Sequence, residues 1–494
     1  MTKESSTDLR QAAIAALPSG SVLVNGQPVA GSGAACTHID PANGDVLRTW
    51  TLAGASDVEL AVDTAASAQP AWAAARPAAR RDALIAVASA ITESTDLLAA
   101  LVSVEMGMPL KASRAGVQAA AEWFSHYAGY ADKIEGLAPT VGHPGRVLDY
   151  TRRVPYGVVA AIIPWNGPVM ALALKAAPAL AAGNAVVLKP SEVAPFSSLA
   201  FGALASAAGL PAGLLNVVAG GAEVGSALCA HDSIGLISFT GGSTGGRAVA
   251  EAAAARHVPT ILELGGKSAS LVFADVDVDR TAKVAAILGT AQNSGQGCFL
   301  PTRLLVERPI YDDVVDGVVA AAAKLRLGNP FEPNTNMGPV VNAAARDRIL
   351  SVITAARERG DGRLVYGGAP AQGFDAGSYL EPTVFADVDP MSPLAQEEIF
   401  GPVLSIIPFD GEDDAVRIAN GTRYGLAGYV WTSDLGRAHR VADALDAGNV
   451  SINGMSSLPA EAPFGGWKAS GYGVEGSRAG LDEYLRTKNV HVQW

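Results

Sequence analysis

The segment AQNSGQGCF, residues 291–299, places Cys298 among glycines and small amides, with no histidine nearby in the sequence. A structural cysteine is usually buried among apolar residues, and a disulfide needs a partner cysteine. The chain has only three cysteines, and an odd, widely spaced set is no disulfide framework. The segment alone does not say what this thiol does, and the other motifs of the chain have to supply its role.

Two other segments carry groups that suit acid–base and oxyanion chemistry. Glu263 opens ELGGK at the end of a predicted strand, and a buried carboxylate there can act as a general base. Asn166 lies in PWNGP between prolines that stiffen the turn, and a rigidly held amide can stabilise an oxyanion. Taken alone, each also fits a simpler interpretation, a solvated loop glutamate and a turn asparagine.

Two further motifs could bind a nucleotide. LISFTGGSTGGRA, 236–248, is a glycine-rich turn between a strand and a helix, where backbone N–H groups can approach a phosphate. It lacks the GxGxxG pattern, and Arg247 with Ala248 replaces the ending of a P-loop. In KPSE, Lys189 and Glu192 follow a strand and could hydrogen-bond the hydroxyls of a ribose, with a surface ion pair as the alternative.

These motifs lie in a part of the chain where short β-branched runs alternate with alanine-rich helical stretches. Strands joined by helices form parallel, doubly wound sheets, which bind ligands beyond the carboxyl ends of their strands. The N-terminal part, 56–130, is predicted to be helical, and a second α/β unit follows the first. Predicted strands are 158–163, 185–189, 214–218, 236–240, 260–264, 303–307, 404–409, 425–432 and 448–453, and predicted helices of the second unit are 278–291, 310–325, 342–359, 412–420 and 434–446.

Composition excludes several classes of partner. The net charge of −12 and the pI near 5.1 disfavour nucleic acid and anionic membranes, which bind clustered Lys and Arg. The cysteine usage and the polar start fit a cytoplasmic protein. Two uncharged runs, 154–174 and 193–222, contain prolines that exclude one continuous membrane helix. Cys36 and His38 resemble half of a metal site that nothing completes, so no metal is expected.

Two segments fit neither α/β unit, 132–152 and the C-terminal YLRTKNVHVQW. The tail alternates in side-chain character as an edge strand does. Edge strands pair readily with other chains, so the tail either forms an oligomer contact or packs on its own sheet. The sequence does not distinguish these alternatives.

In order along the chain, PWN, KPSE, FTGG, LELGGK, NSGQGC, EEIFGPV and PFGGWKASG resemble the motifs of the NAD(P)-dependent aldehyde dehydrogenase superfamily. The resemblance implies an α/β fold with two doubly wound parallel-sheet (Rossmann-like) domains and a small β oligomerisation element. It implies a homo-oligomer, either a dimer or a tetramer. The expected boundaries are 8–131 and 153–262 for the dinucleotide-binding domain, 263–469 for the catalytic domain, and 132–152 and 480–494 for the oligomerisation element.

The same resemblance implies a covalent mechanism. Cys298 adds to an aldehyde, and the Asn166 amide with the Cys298 backbone N–H stabilises the resulting oxyanion. Hydride transfer to the nicotinamide then leaves a thioester, which water activated by Glu263 hydrolyses. Lys175 and Glu475 match positions that support this base and its proton path, although Val474 replaces the arginine that commonly precedes the glutamate.

The resemblance also assigns residues to the cofactor and the substrate. Glu192 favours NAD over NADP, because its carboxylate would repel a 2′-phosphate, although NADP is possible. Gly167 replaces an aromatic residue, and the apolar tunnel with no arginine and little aromatic cage favours a neutral, apolar aldehyde of medium size. The expected cofactor residues are Trp165, Lys189, Glu192, Gly241, Gly242, Ser243, Gly246, Leu264, Glu398 and Phe400, and the expected tunnel residues are Gly167, Met170, Leu174, Gly297, Phe299 and Leu458.

Two other enzyme classes use a comparable cysteine. In a CoA-acylating semialdehyde dehydrogenase, CoA rather than water takes the acyl group, and Glu263 argues against it because hydrolysis needs a base. A cofactor-free cysteine thioesterase predicts a histidine partner for Cys298. A third alternative, a non-catalytic structural protein on the same fold, is disfavoured by the intact Cys298, Glu263 and Asn166.

Overall fold

In the computed structural model, which describes residues 6–143, 145–455 and 458–494, five predicted strands form the parallel centre of an eight-stranded sheet. Their spatial order is Leu215–Val218, Ala185–Lys189, Val158–Ile162, Ile234–Thr240 and Thr260–Glu263. The direction of strand succession therefore reverses beside Val158–Ile162, which makes this edge of the sheet the expected binding crevice. The short strands Val22–Val24, Gln27–Val29 and Gly471–Tyr472 extend the sheet at its two ends in antiparallel pairing.

Helices cover both faces of this first sheet. Its strands consist mainly of Val, Ile, Leu and Ala, and their residues are almost all buried, as expected for parallel strands packed on both sides. The predicted N-terminal helical region forms four consecutive helices, and Gly107 ends the third of them in the left-handed conformation, at φ 78°. The helices of this part are Ser6–Ala15, Ala55–Ala74, Pro77–Glu93, Thr95–Met106, Leu110–Ala128, Pro168–Ala181, Phe196–Ala207, Ala222–Ala230 and Ser243–Ala255.

A second, seven-stranded sheet follows in the chain. Its strands are parallel except for the antiparallel pair at one edge. The strand order is Arg363–Tyr366, Thr383–Ala386, Val403–Phe409, Arg303–Glu307, Ala269–Val272, Ala427–Trp431 and Asn449–Ile452, and the helices are Val278–Ala286, Tyr311–Ala322, Ala343–Arg359, Pro393–Gln396, Gly411–Asn420 and Leu435–Ala444. The prediction of two doubly wound sheets is therefore confirmed. The predicted helix 278–291 is wrong in its last turn, because the α-helix ends at Ala286 and a π-helical turn, Ile287–Ala291, continues it.

The C-terminal tail forms a two-stranded antiparallel sheet, which we call the terminal ribbon. Leu485–Gln493 pairs with Val147–Pro155 along its full length, from Leu485 opposite Pro155 to Gln493 opposite Val147. The first strand of the ribbon extends past residue 152, where the sequence placed a domain boundary. Smaller elements are the hairpin Ala35–Ile39 with Val46–Thr51, the pair Tyr424–Gly425 with Trp467–Lys468, the 3₁₀ turns Gln292–Gly295 and Arg308–Ile310, and the helix Ser477–Asp482.

No single helix in the described part of the chain has both the length and the hydropathy to cross a bilayer. Only the consecutive helices Pro77–Glu93 and Thr95–Met106 pass that test together, and they are bent by 68° relative to each other.

Candidate active site

A cavity of about 450 Å³ lies beyond the carboxyl ends of the first sheet's strands. Segments that follow three of its strands form one wall, and segments of the second α/β unit form the other. The cavity therefore brings together residues that are more than 200 positions apart in the sequence. Its lining residues are Pro164, Trp165, Asn166, Thr240, Gly241, Gly242, Leu264, Gly265, Cys298, Val341, Asn342, Ala344, Ala345, Arg348, Glu398 and Phe400.

The loop that carries Cys298 has an unusual backbone. Asn293 and Ser294 have φ values of 48° and 53°, and Gly295 follows at 72°, so three consecutive residues are left-handed. A side chain on Gly295 would put its Cβ 2.1 Å from the carbonyl oxygen of Gly401, so only glycine fits. The buried Gln296 accepts a hydrogen bond from the Val341 N–H at 3.0 Å. These contacts hold a strained turn, as is common at functional sites.

Cys298 is partly exposed, and its surroundings keep the thiol protonated. Burial of the sulfur, followed by the charges of Glu398 and Glu263, raises the pKa of Cys298 to about 12. The backbone N–H groups of Cys298 and Phe299 act in the opposite direction, because they stabilise a thiolate. Tyr429 fixes the next residue by donating from its hydroxyl to the carbonyl oxygen of Phe299 at 2.7 Å.

The side-chain amide of Asn166 lies against the Cys298 loop. Its Nδ2 donates to the carbonyl oxygen of Gln296 at 3.0 Å. Asn293 braces the same region, because its Nδ2 lies 2.9 Å from both the Asn166 and the Gln296 carbonyl oxygens. An amide nitrogen has two protons, so Asn166 can hold the loop and still donate once into the cavity.

Glu263 ends the strand Thr260–Glu263 and is 3% exposed. Within the described residues neither carboxylate oxygen has a hydrogen-bond partner of normal geometry, although the Gly466 N–H is near enough to lower the pKa. Burial raises the pKa of Glu263 well above its usual range, and the charge of Glu475 raises it further, while Lys175 lowers it. A carboxyl group with a raised pKa holds a proton more readily than an exposed one, which suits a general base.

A buried polar chain lies close enough to this carboxyl group for its charges to act on the pKa of Glu263. Lys175 Nζ lies 2.7 Å from Glu475 Oε1 and donates to Ser238 Oγ at 3.0 Å. Tyr484 donates from its hydroxyl to the same oxygen at 3.2 Å. These side chains come from a helix, a strand and the C-terminal region, so only the folded chain assembles them.

Three predicted cofactor residues cluster at one end of the cavity. Glu398 Oε1 accepts a hydrogen bond from the Gly266 N–H at 3.1 Å, and burial raises the pKa of this carboxyl group. Phe400 has a left-handed backbone, at φ 54°, and its ring meets the Trp165 ring edge-on with centroids 5.4 Å apart. The cluster is thus a rigid aromatic and carboxylate wall beside Cys298.

The glycine-rich turn opens the helix Ser243–Ala255 at the cavity wall. A Cβ on Gly241 would lie 2.6 Å from the Phe239 ring, and one on Gly246 would lie 2.4 Å from Leu264. A Cβ on Gly242 would meet nothing, so this residue faces open space in front of free helical N–H groups. Such an uncovered helix start fits a pyrophosphate. At the end of the strand Ala185–Lys189, Lys189 Nζ lies 3.7 Å from Glu192 Oε2. The two side chains form a pair that fits the hydroxyls of a ribose.

Only two of the predicted tunnel residues line a second cavity, of about 180 Å³, beside the Asn166 turn. Gly167 and Met170 belong to it, whereas Leu174 is buried within its helix. Elsewhere, Phe299 packs edge-on against Phe464 at 6.2 Å, and Leu458 accepts a hydrogen bond from Trp123. Gly297 has Leu300 as its nearest packing neighbour. The lining is Val102, Met108, Ala112, Ser113, Gly116, Val117, Gly167, Pro168, Val169, Met170, Gln292 and Asn293.

The sequence did not predict that residues of the N-terminal helices line this second cavity. It also did not predict that Arg348 lines the 450 Å³ cavity. Helical periodicity marks Val117 as an inward residue, but nothing in the sequence says which partner it faces. Arg348 lies between the motifs and carries no signal of its own.

One cluster in the described residues has metal-like geometry, Glu59, Asp63 and His231. The Nδ1 atom of His231 accepts the Ser233 N–H at 3.1 Å, so the neutral ring carries its proton on Nε2. That nitrogen faces Glu59 at 3.3 Å. A protonated nitrogen is no metal ligand, so a histidine–carboxylate pair explains the cluster.

Comparisons with known proteins identify one family. The model of the aldehyde dehydrogenase family matches residues 29–490. The chain is 40% identical over 481 residues to a betaine aldehyde dehydrogenase of Mesorhizobium japonicum, covering 97% of this chain and 98% of the relative.

Solved structures are similar over nearly the whole length. A putative aldehyde dehydrogenase from Burkholderia cenocepacia is 39% identical, with a TM-score of 0.93 over 96% of this chain and 97% of the other. An indole-3-acetaldehyde dehydrogenase crystallised with NAD⁺ is 37% identical, with a TM-score of 0.95 and full coverage of both chains. Because the family model and these relatives span almost the entire sequence, the chain belongs to the aldehyde dehydrogenase family.

Proposed function

We propose that the protein oxidises an aldehyde to the carboxylic acid with NAD⁺ through intermediates bound to Cys298. The observation that carries the proposal is the convergence of Cys298, Asn166 and Glu398 on one cavity, with the buried Glu263 electrostatically coupled to the sulfur. A nucleophile, an oxyanion donor, a base and a nucleotide-sized cleft are the parts that this chemistry requires.

In the first step the Cys298 sulfur bonds to the aldehyde carbon and forms a thiohemiacetal. The thiol is protonated at neutral pH, so its proton has to leave as the bond forms, and Glu263 is the carboxylate we assign to accept it. The Asn166 amide and the Cys298 backbone N–H stabilise the negative oxygen. Loss of one such donor typically raises the barrier by about 3 kcal/mol.

The cofactor occupies the 450 Å³ cavity in this proposal. Bound NAD⁺ supplies the hydride acceptor that converts the thiohemiacetal to a thioester. Lys189 and Glu192, which do not line this cavity, would hold the adenosine ribose beyond it, and the Glu192 carboxylate would disfavour a 2′-phosphate. The remaining contacts come from Gly241, Gly242, Ser243 and Gly246 at the pyrophosphate, from Trp165 and Leu264 along the wall, and from Glu398 and Phe400 at the nicotinamide end.

Hydrolysis of the thioester completes the cycle. Glu263 removes a proton from water, the resulting hydroxide attacks the acyl carbon, and the C–S bond breaks to release carboxylate and thiol. Before this step Glu263 has to pass on the proton it took from Cys298. The Lys175–Glu475 pair, buried beside it, is the path we propose.

The second cavity supports a neutral, apolar aldehyde as the substrate. No Lys, Arg, Asp or Glu is among the residues that line it, so it offers no ion pair to a charged group. Met108, Val117 and Met170 supply an adaptable apolar surface. The volume of about 180 Å³ admits an aromatic or branched side chain.

We also propose the predicted domain roles, with 8–131 and 153–262 binding the dinucleotide and 263–469 carrying the catalytic residues. The terminal ribbon would join copies of the chain into a dimer or tetramer. Its apolar residues Leu148 and Val492 are 44% and 39% exposed and face each other across the ribbon. The double variant Leu148→Lys with Val492→Lys is expected to sediment as a smaller species than the wild type. An unchanged mass would contradict the oligomerisation role.

The catalytic proposal is tested by the Cys298→Ala variant. It is expected to lose NADH formation while retaining NAD⁺ binding, whereas the control Cys229→Ala, in a helix outside the cavity, keeps activity. Trapped wild-type enzyme should carry the acyl mass on Cys298. Wild-type rates in Cys298→Ala, or an adduct elsewhere, would sink the proposal.

Two assays separate the alternatives. Turnover that requires added CoA would indicate the acylating semialdehyde dehydrogenase. Thioester hydrolysis without any change in nicotinamide absorbance would indicate the cofactor-free thioesterase. Steady NADH formation with neither CoA nor a thioester is the result we expect.

A further inference from the structure

His38 connects the N-terminal hairpin to the cofactor domain. It lies on the strand Ala35–Ile39 and is 6% exposed. Its Nε2 atom lies 2.5 Å from the main-chain carbonyl oxygen of Glu192. Its ring contacts Phe196, with centroids 4.8 Å apart, and meets Trp50 edge-on at 5.7 Å. A side chain from outside the first sheet is thus locked onto the KPSE turn.

The chemistry of this contact fixes the state of the imidazole. A carbonyl oxygen only accepts hydrogen bonds, so Nε2 carries the proton and donates it. Burial lowers the pKa of His38, which keeps the ring neutral. Nδ1 is buried and has no partner among the described residues, so nothing favours a second proton there. The ring therefore serves as a single-donor support for the Glu192 main chain.

The segment that His38 contacts is held at both ends, and in between Ser191 forms a main-chain bridge with Gly220. Lys189 ends a strand and Phe196 begins the next helix. At the helix start, the Phe196 N–H donates to the buried Glu105 carboxylate at 2.7 Å. Among the described residues, the Glu192 carboxylate has polar side-chain contacts with Lys189 at 3.7 Å and with Ser191 at 3.4 Å. His38 adds an anchor at the main chain of Glu192 itself, one residue beyond that bridge.

We propose that His38 is a positioning residue that holds Glu192 in register with Lys189 for the adenosine ribose of NAD⁺. The inference rests on the proposed role of the Lys189–Glu192 pair in cofactor binding. It makes the hairpin Ala35–Ile39 with Val46–Thr51 part of the cofactor site, although no hairpin residue lines the cavity. His38 acts through Glu192 and touches no reacting atom.

Two substitutions separate the hydrogen bond from the packing. His38→Phe keeps a ring against Phe196 and Trp50 but removes the donor, and His38→Gln retains an N–H donor. His38→Phe is expected to raise the KM for NAD⁺ by about three- to tenfold, the usual effect of losing one buried hydrogen bond, with kcat within about twofold. His38→Gln should recover most of the affinity. Thr37→Ala, on the opposite face of the same strand, is the matched control and should match the wild type.

Cofactor fragments locate the effect. AMP carries the adenosine ribose, and nicotinamide mononucleotide carries the other one. As competitive inhibitors, AMP should bind more weakly to His38→Phe, while nicotinamide mononucleotide should bind as it does to the wild type. A uniform loss for both fragments, or none for AMP while the variant stays folded by circular dichroism, would overturn the inference.

Glu192→Ala tells the failure of this inference from the failure of the proposed function. If Glu192→Ala binds NAD⁺ like the wild type, the ribose assignment is wrong and the inference falls with it. If Glu192→Ala is impaired and His38→Phe is not, only the inference falls. If both are impaired, the double variant should be no worse than Glu192→Ala alone, because the two residues act as one unit.

Discussion

Lys175 Nζ and Glu475 Oε1 form a 2.7 Å ion pair whose side chains are only 1% and 2% exposed. Both charges act on Glu263, whose pKa is raised first by burial, then by Glu475, and is lowered by Lys175. The ion pair therefore adjusts the protonation of the proposed base from two opposite directions. The charges of the ion pair set how tightly Glu263 holds a proton. The same pair is also the route by which we propose that the proton leaves.

Neutralising Glu475 and neutralising Lys175 are expected to shift the pH profile of thioester hydrolysis in opposite directions. Glu475→Gln removes a negative charge, lowers the pKa of Glu263, and moves the rising limb of the rate to lower pH. Lys175→Met removes a positive charge, raises that pKa, and moves the limb to higher pH. Single-turnover hydrolysis rates measured across the pH range in which the enzyme stays folded give both profiles.

The stability of these variants needs its own control. Breaking a buried ion pair costs about 3–5 kcal/mol, because the remaining charge is left unpaired. The double variant Lys175→Met with Glu475→Gln leaves no buried charge and should melt closer to the wild type than either single variant. Shifts of the same sign in the two single variants would contradict the electrostatic account.

Glu263→Gln is expected to stop the cycle at the thioester. The glutamine is nearly the same size but cannot accept a proton, so water is not activated. One NADH can still form, but more slowly, because the Cys298 proton then has to leave to solvent. Rapid mixing should show a burst of NADH near one equivalent per site, then turnover slower by about 10²-fold or more. Glu461→Gln, an exposed residue, is the control and should keep the wild-type steady state. A full steady-state rate without a burst in Glu263→Gln would remove this residue from hydrolysis.

Glu398→Gln should make the Cys298 thiol more reactive. After burial, the charge of Glu398 is the next largest cause of the raised pKa of Cys298. Removing that charge lowers the pKa of Cys298, so a larger fraction of the sulfur is thiolate at pH 8. Alkylation by iodoacetamide is then expected to be several-fold faster, since about 1.4 kcal/mol of electrostatic free energy changes the thiolate fraction tenfold. Glu397→Gln, next in the chain and paired with Arg423, is the matched control. Equal alkylation rates in both variants would show that burial alone sets the thiol pKa.

The sequence predicts both parallel sheets because their buried strands appear as short apolar runs separated by helices. Most predicted strand ends lie within one or two residues of those observed, as at Ala185–Lys189 and Arg303–Glu307. The hairpin Ala35–Ile39 with Val46–Thr51 was not predicted, because its residues are polar and largely exposed and show no apolar run. The π-helical turn Ile287–Ala291 was not predicted either, since its sequence continues the helical pattern.

For the site, the sequence predicts which motifs carry chemical groups but not how distant segments meet. The order of the motifs indicated the cavity that contains Trp165, Cys298 and Phe400. The contacts of His38 with Glu192 and of Lys175 with Glu475 join residues 154 and 300 positions apart. Such pairs are fixed by tertiary packing, so local patterns contain no record of them.

The volume of the second cavity leads to a prediction about substrate size. Cβ atoms built on Gly116 or Gly167 meet nothing within 4 Å, so both positions face empty space. Gly167 has φ −170°, an extended backbone that any residue adopts, so Gly167→Phe introduces no strain. Its ring is expected to fill most of the 180 Å³.

Gly167→Phe and Gly116→Leu should therefore lower kcat/KM for a bulky aldehyde such as phenylacetaldehyde by about 10- to 100-fold, as losing an apolar subsite does, and leave propanal within about twofold. Gly225→Leu is the matched control, because Gly225 is also a helical glycine without neighbours within 4 Å but lies outside this cavity. If the control reduced phenylacetaldehyde oxidation as strongly, the loss would reflect helix stability. If Gly167→Phe spared phenylacetaldehyde, the substrate would have to reach Cys298 by another route.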